Sequence, residues 1–527
     1  MFGYPRLIYA IYLLFTLAVG AVLAIFVPVW LWAWSVLALL ALLGAYDLRS
    51  DHNVLRNFPI IGHLRYMMEF LRPELRQYFF ESETSGRPFN REQREVIYKR
   101  ARGEPDTSPF GTMRDFEDAG FSFSHHSMAP KTLGDEHARI TIGNGQCSQP
   151  YHSSRLNISA MSFGSLSGNA VAAMNRGAKL GNFAQDTGEG AISDYHREHG
   201  GDLIWEIASA YFGCRHKDGS FNAEEFAEKA NAEQVKMIEI KISQGAKPAH
   251  GGLLPGKKVT AEIARVRDIE QGQDCQSPAT HPEFNTPRGL LEFMQKLREL
   301  THGKPVGFKL CLGHPHEFMG ICKAMLETGI TPDFITVDGA EGGTGAAPTE
   351  FEDFIGTYIN EALPFVNNCL RGIGLRDDIV VIASGKVAMG YDMVVKLALG
   401  ADMCNAARGF MFSTGCIQSR RCHTDTCPTG VATQDPSRAK ALEVMSKSLQ
   451  VRNFHDATLK SFMDIAGALG VDSPDELAPI HVYHRPEYGP AETYEHMHPT
   501  VGSGDFINDR VPDAYKRDWQ RASAEAF

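Results

Sequence analysis

Cys416, Cys422 and Cys427 fall within twelve residues, with five and then four residues between them, in Gly415-Cys-Ile-Gln-Ser-Arg-Arg-Cys-His-Thr-Asp-Thr-Cys-Pro428-Thr-Gly430. Thiolates crowded on one loop and closed by Cys-Pro suit iron–sulfur ligation. Zinc more often takes Cys-x-x-Cys pairs and a fourth ligand, which His423 would supply, and ordinary thiols are the remaining reading. Three cysteines without a local fourth favour a three-iron cluster, or a four-iron cluster completed from elsewhere. Arg420 and Arg421 would offset part of an anionic cluster. Ten cysteines in 527 residues are too few for a disulfide framework. Cys311, Cys322 and Cys369 lie in apolar surroundings and read as packing residues.

A second group of residues joins glycines to polar side chains. Asp338-Gly-Ala-Glu-Gly342-Gly343-Thr344-Gly345 follows one apolar run, Ser384-Gly385-Lys386 the next, and Ala407-Arg408-Gly409 the last. Glycine lets backbone N–H groups approach a phosphate closely, and a helix N-terminus adds favourable potential. Several such turns in succession fit a mononucleotide such as FMN; tight turns without a ligand are the plainer alternative. Lys309 interrupts an apolar run, Val306-Gly-Phe-Lys-Leu310, where a buried charge needs a partner or a ligand. Gln244 and Lys247 lie in Ser243-Gln-Gly-Ala-Lys-Pro248, and Glu189 in Asp186-Thr-Gly-Glu-Gly190. Each charged group alone reads as a solvated or salt-bridged surface residue; together, beside glycine turns, the set reads as one site. His314 and His316 follow the Lys309 run as weaker candidates.

These groups need a frame that brings them to one place. From about 155 to 435, short apolar runs alternate with helical stretches. Candidate strands are 156–163, 236–242, 306–312, 334–337, 379–383 and 403–407. Near-continuous apolar runs mark parallel strands buried on both faces, and their alternation with helices predicts a parallel α/β domain. Gln244, Lys309, Asp338, Ser384 and Arg408 all fall at or just after strand ends. A (β/α)8 TIM barrel gathers its chemistry there. A doubly wound sheet would also do so, but no strand leads into a Gly-x-Gly-x-x-Gly helix.

Charge and composition narrow the class further. Fifty-two basic against 63 acidic residues give a net charge of −11, which excludes nucleic acid as the main partner. The 43 % hydrophobic content is that of a globular chain, not a polytopic membrane protein. The N-terminus departs from it: no charged residue occurs from Leu7 to Tyr46. That length predicts a transmembrane helical hairpin broken at Pro28, with Trp30, Trp32 and Trp34 as an interfacial belt. It is too long for a signal peptide. Arg6, Arg49 and Arg56 flank it, which puts both ends in the cytoplasm and makes the catalytic domain cytoplasmic but membrane-anchored. The organisation expected is a hairpin anchor over 1–51, an Arg-rich adaptor over 52–150, the barrel over 151–470 and a surface-wrapping or partly disordered tail over 471–527.

Taken together, Ile158-Ser-Ala-Met-Ser-Phe-Gly-Ser-Leu-Ser167, Thr187-Gly-Glu-Gly190, Ser243-Gln-Gly-Ala-Lys-Pro248, Gly342-Gly-Thr-Gly-Ala346 and the cysteine motif resemble the FMN-binding synthase domain of glutamate synthase, over about 155–470. The resemblance implies a (β/α)8 barrel carrying FMN and a [3Fe–4S] cluster held by Cys416, Cys422 and Cys427. Ser162, Gln244, Lys309, Gly342, Gly343 and Gly385 would line the flavin. Lys247 would sit in the 2-oxoglutarate or imine pocket, Arg267 would bind a carboxylate, and Glu189 would couple ammonia arrival to chemistry. Electrons from ferredoxin or a separate reductase would enter at the cluster, pass to FMN and leave as hydride to an imine of 2-oxoglutarate and ammonia, giving glutamate. The family's long enzymes begin with a glutaminase domain whose nucleophile is an N-terminal cysteine, whereas the first cysteine here is Cys147. Only the family's short, stand-alone members resemble this layout. Ammonia or an amine would come free or from a partner, and a homo-oligomer is compatible with the sequence.

Two departures bear on substrate. Where the family has Lys-Pro-Gly-Glu-Gly-Gly-Gln, this chain reads Lys247-Pro-Ala-His-Gly-Gly-Leu253, with His250 for the acid and Leu253 for a Gln that helps hold 2-oxoglutarate. Losing such a hydrogen bond typically costs about 1–3 kcal/mol. A different imine or amino-acid substrate on the same cofactors is therefore a second reading. A membrane-tethered electron-transfer subunit without its own turnover is a third.

Overall fold

The computed structural model describes residues 5–26 and 30–527. The chain divides into two units, Met1–Arg91 and Glu92–Phe527. In the first, helices α1 (Pro5–Phe26) and α2 (Trp30–Asp47) lie antiparallel. The Trp34 indole fills the notch left by Gly20, where any Cβ would overlap it, and Tyr12 reaches the Leu37 carbonyl at 3.5 Å. Asp47 ends α2 as a buried carboxylate that accepts from the Ile60 N–H and pairs with His63, both at 2.8 Å. Among the described residues no helix is long and apolar enough to cross a membrane. The expected transmembrane spans thus have no support here, and the expected break at Pro28 lies outside the described residues.

The second unit is built on a closed barrel of eight parallel strands: β1 (Leu156–Ile158), β2 (Ala184–Asp186), β3 (Asp202–Ile207), β4 (Val235–Lys241), β5 (Val306–Leu310), β6 (Phe334–Asp338), β7 (Val380–Ser384) and β8 (Met403–Ala406). Each pairs with its neighbours in sequence, and β8 closes on β1 through Cys404, Asn405 and Ala406. This is the expected (β/α)8 architecture. Six strands coincide with expected ones; β2 and β3 do not appear among them. Both carry polar residues, Gln185 and Asp186 in one and Glu206 in the other, which break the apolar run.

Side chains alternate between the two faces of a strand, and the barrel uses this to build two layers. Ala184, Ile204, Met237, Phe334, Ile382 and Met403 form one apolar layer. Ile142 and Tyr151, from the antiparallel hairpin Arg139–Ile142/Tyr151–Ser154, pack against it and plug the N-terminal end. Two residues further along the same strands stand Asp186, Glu206, Glu239, Thr336, Ser384 and Asn405, all buried. The polar layer therefore lies toward the C-terminal end, which is left as the mouth.

Helix α3 (Arg91–Arg102), within the expected 52–150 adaptor, belongs to this unit because it packs on α5 (Val444–Ala468). Asn453 donates to the Ala101 carbonyl at 3.2 Å, and Arg100 to Thr458 at 3.2 Å. Helix α4 (Gly168–Gly181) follows β1 and packs on α5, where Gly177 admits Val451. The expected tail at 471–527 wraps the barrel: Tyr483–His484 pairs with Ser122–Phe123, and Phe506 covers Gly372.

Candidate active site

The interior of the mouth is ionic. The Lys309 ammonium, on β5, pairs with the Glu206 carboxylate on β3 and lies 3.5 Å from Glu239 on β4. Thr336 on β6 donates to Glu239 at 2.5 Å, and Glu239 is hydrogen-bonded to Asp186 on β2. Among the described residues, Asp186, Glu206 and Glu239 are the one set of three metal-ligand types whose ligand atoms all lie within 4.8 Å. Lys309 already supplies a cation there. Two carboxyl groups can hydrogen-bond directly only if one holds a proton. Consistently, burial and the charges of Glu239 and Glu206 push Asp186 well above the usual carboxylate range. Burial opposes the Lys309 charge, but Glu206 and Glu239 hold its pKa well above the ordinary value. Sequence reasoning found Lys309 and missed its three carboxylates. The available signal was an acid two residues after a core-facing apolar residue in three successive strands.

Nearer the opening, Glu189 follows β2 and Lys241 ends β4, with Nζ to Oε2 at 2.8 Å. Burial alone would raise the Glu189 carboxyl, but Lys241, Lys247 and Arg267 pull it down to about 2. The close approach is made possible by Gly252, whose missing Cβ would stand 2.3 Å from Glu189 Oε1. Lys247 is buried, which lowers its pKa, while Glu189 raises it. Arg267, also buried, donates to the Phe163 carbonyl at 2.8 Å and lies over the Phe212 ring at 5.1 Å. Lys241, Lys247 and Arg267 thus surround one carboxylate, and Lys241 is the member that sequence reasoning missed.

The glycine turns lie against one another. Asp338, at the end of β6, accepts the Gly245 N–H at 2.8 Å. A Cβ on Gly245 would stand 1.9 Å from the Gly339 carbonyl, so the loops after β4 and β6 touch backbone to backbone. Gly342 lies against Gly245, and Gly385, at φ +141°, lies near Gly339. Arg408 donates to the Glu341 carbonyl at 2.7 Å and packs on Gly343. Among the described residues none accepts from the backbone N–H groups of Gly343, Thr344 or Gly345. N–H donors beside a guanidinium are suited to a phosphate. Ser162, on the loop after β1, bonds Ser165 at 2.9 Å and packs on Gly188 and Gly190. Gln244 is half-buried three residues after β4. Thr344 turns back onto its own loop, toward the Ala346 carbonyl at 3.5 Å. Gly409 is buried against the Val387 carbonyl and the Phe454 ring, as a packing residue.

The cysteine loop is stapled to the Ser162 loop. Ser167 caps α4 and donates to the Gly430 carbonyl at 2.7 Å, while Gln434 donates to Gly164 and Leu166 at 3.0 and 2.8 Å. Lys258, buried, bonds the carbonyls of Ser165 at 3.0 Å and Cys422 at 3.4 Å. Burial pushes the Cys416 thiol up to about 12, with Cys422 and Cys427 adding to it. Burial also opposes the Cys427 thiolate, but N–H donors from Ala432, Thr429 and Val431 bring its pKa below the ordinary value. Donors aimed at sulfur and a buried lysine beside it suit a thiolate-held anionic centre.

A family profile described as a conserved region in glutamate synthase matches residues 125–472. The chain is 37 % identical over 504 residues to the glutamate synthase large subunit-like protein YerD of Bacillus subtilis, covering 88 % of this chain and 94 % of that one. It is 36 % identical over 321 residues to the archaeal glutamate synthase (NADPH) of Methanocaldococcus jannaschii, covering 61 % of this chain and 60 % of that one. A Thermotoga neapolitana protein, named archaeal-type glutamate synthase (NADPH), is 34 % identical over 320 residues, with 60 % of each chain covered. The chain thus spans nearly all of the first relative and about 60 % of the other two.

Proposed function

The chain belongs to the glutamate synthase family, as the match over residues 125–472 shows, and is an oxidoreductase; from that premise we propose that it reduces the imine of a 2-oxo dicarboxylic acid, 2-oxoglutarate with ammonia, to the amino acid. The observation that carries this reading is the charge at the mouth: Lys241, Lys247 and Arg267 all act on Glu189, and Glu206 also acts on Lys247. Cations gathered at a buried site favour a carboxylate-bearing substrate by charge-assisted hydrogen bonds. In this proposal Lys247 and Arg267 hold the substrate carboxylates. Glu189 fixes Lys241 and carries the signal of ammonia arrival.

FMN and a [3Fe–4S] cluster are the proposed cofactors; when bound they supply hydride transfer and one-electron entry. The turns at Gly342–Gly345 and Gly385, with Arg408, would take the phosphate. Ser162, Gln244 and Lys309 would line the ring, and the Lys309 charge would face it. Cys416, Cys422 and Cys427 would hold the irons. A separate protein would donate the electrons.

The test is anaerobic. The purified protein is assayed for flavin absorbance and iron, reduced, and mixed with 2-oxoglutarate and ammonium. Reoxidation that requires both substrates, with glutamate as product, is the expected result. A protein without flavin, or one reoxidised by neither substrate, would sink the proposal.

A second reading rests on Leu253, which is 42 % exposed beside Gly252, and on His250, edge-on to Phe351 at 5.3 Å. An apolar rim there favours an amine with an alkyl substituent. Faster reoxidation with methylamine than with ammonium would support it over the first. A further proposal concerns the first unit. Leu14, Phe15, Trp32, Leu39 and Leu42 stand exposed on helices without a charge from residue 7 to 46. We infer that this unit seats on lipid; recovery of the full chain free of vesicles after flotation would refute that.

A further inference from the structure

We propose that Arg94 and Tyr98, on α3, are positioning residues for the iron–sulfur centre and set its reduction potential. This rests on the cluster reading above and extends it to residues that lie before the family match begins at 125. The Tyr98 hydroxyl donates to the Cys416 carbonyl at 2.6 Å. Its ring stands edge-on to Phe412, centroids 6.1 Å apart and planes at 86°, in the short helix Arg408–Ser413 that leads from β8 to Cys416. Arg94 is one turn earlier on the same helix face. It is 6 % exposed, which holds its guanidinium inside the packing on that face. The anchoring of α3 to α5 through Ala101 and Arg100 fixes both side chains against the loop. Lys258, beside Cys422, is a second buried cation, from a separate element.

The physical consequence concerns one electron. A cluster accepting an electron from a one-electron donor gains one negative charge, and no proton need move at Arg94. A fixed cation in a buried setting stabilises that charge far more than one in water would. The Tyr98 hydroxyl withdraws density from the Cys416 carbonyl and acts in the same direction with less force.

The experiment is a potentiometric titration of the full chain followed by electron paramagnetic resonance, with iron content measured alongside. Arg94→Gln, at full iron content, is expected to lower the reduced-to-oxidised ratio at fixed potential about tenfold, a fall of about 59 mV for one electron. Arg94→Lys, which keeps the charge, is expected to return most of that shift. Tyr98→Phe removes only a hydroxyl and is expected to lower the ratio about twofold to threefold; it decides the matter should Arg94→Gln not fold. Arg94→Gln and Tyr98→Phe at the wild-type potential would overturn the inference, as would Arg94→Lys behaving like Arg94→Gln. A wild-type protein that binds no iron would overturn the cluster reading itself, a result visible before any variant is made.

Discussion

The Lys241 ammonium and the Glu189 carboxylate lie 2.8 Å apart and tie the end of β4 to the loop after β2. Lys247 and Arg267 act on the same carboxylate, so one anion organises three cations contributed by β4, the loop after it and a helix further on. A substrate carboxylate would meet cations that are already in place.

Glu189→Gln removes that anion. Burial already lowers the Lys247 pKa and Glu189 raises it, so the variant drives it lower still. A lysine must be protonated to hold a carboxylate, and the basic limb of the KM–pH profile for 2-oxoglutarate is expected to move to lower pH. A loss in kcat/KM of about tenfold at pH 8, about 1.4 kcal/mol, is expected with it. The acid side gives a second check. The folded Glu189 titrates at about 2 and an unfolded glutamate at about 4.3. Its stabilisation is full above the unfolded value and is lost as pH falls toward 2. The variant is expected to lack that segment of the Tm–pH curve.

Inside the barrel, Lys309 is the cation among Asp186, Glu206 and Glu239. Lys309→Met leaves the carboxylates buried and unpaired, and is expected to cost about 3–5 kcal/mol in urea denaturation. Asp186→Asn is the contrasting change. Burial and the charges of Glu239 and Glu206 raise the Asp186 pKa, which favours its neutral form, and an amide of the same shape preserves that form's charge and a donor. Its unfolding midpoint is expected to stay near wild type. Equal losses in the two variants would show that Asp186 is ionised.

The phosphate cradle predicts a difference between neighbouring glycines. A Cβ on Gly343 would stand 2.9 Å from Arg408 Nε, and the guanidinium is pinned by the Glu341 carbonyl. A Cβ on Gly345 would meet nothing within 4 Å. Gly343→Ala is expected to weaken FMN binding to the apoprotein about tenfold, about 1.4 kcal/mol. Gly345→Ala is expected to change it less than about twofold, within the scatter of surface substitutions. Fluorescence titration separates them.

What the sequence made legible follows from how each signal is encoded. Six strands were readable because burial on both faces leaves continuous apolar runs. The glycine turns and the cysteine loop were readable because their chemistry is local. The polar layer was not, because Asp186, Glu206 and Glu239 each look like a solvent-facing acid until closure of the barrel brings them around Lys309. Lys241 was hidden for the same reason: its partner, Glu189, is 52 residues away. The adaptor divides at residue 91 because Ala101 and Arg100 find partners on α5, contacts more than three hundred residues distant that no local pattern carries.

Leu253 sets the most direct test of substrate. It begins the short strand Leu253–Leu254, paired with Cys275–Gln276, directly after the glycine that admits Glu189. A glutamine there would be able to donate to a substrate oxygen; leucine offers only apolar surface. Leu253→Gln is therefore expected to lower KM for 2-oxoglutarate by about 5-fold to 160-fold, corresponding to about 1–3 kcal/mol of regained hydrogen bonding. The side chain is exposed, so the exchange costs the fold little and the effect is readable in kinetics. Should KM for 2-oxoglutarate stay fixed while turnover with an alkylamine falls, Leu253 would be serving an apolar substituent on the amine. The wild-type substrate would then be the bulkier imine.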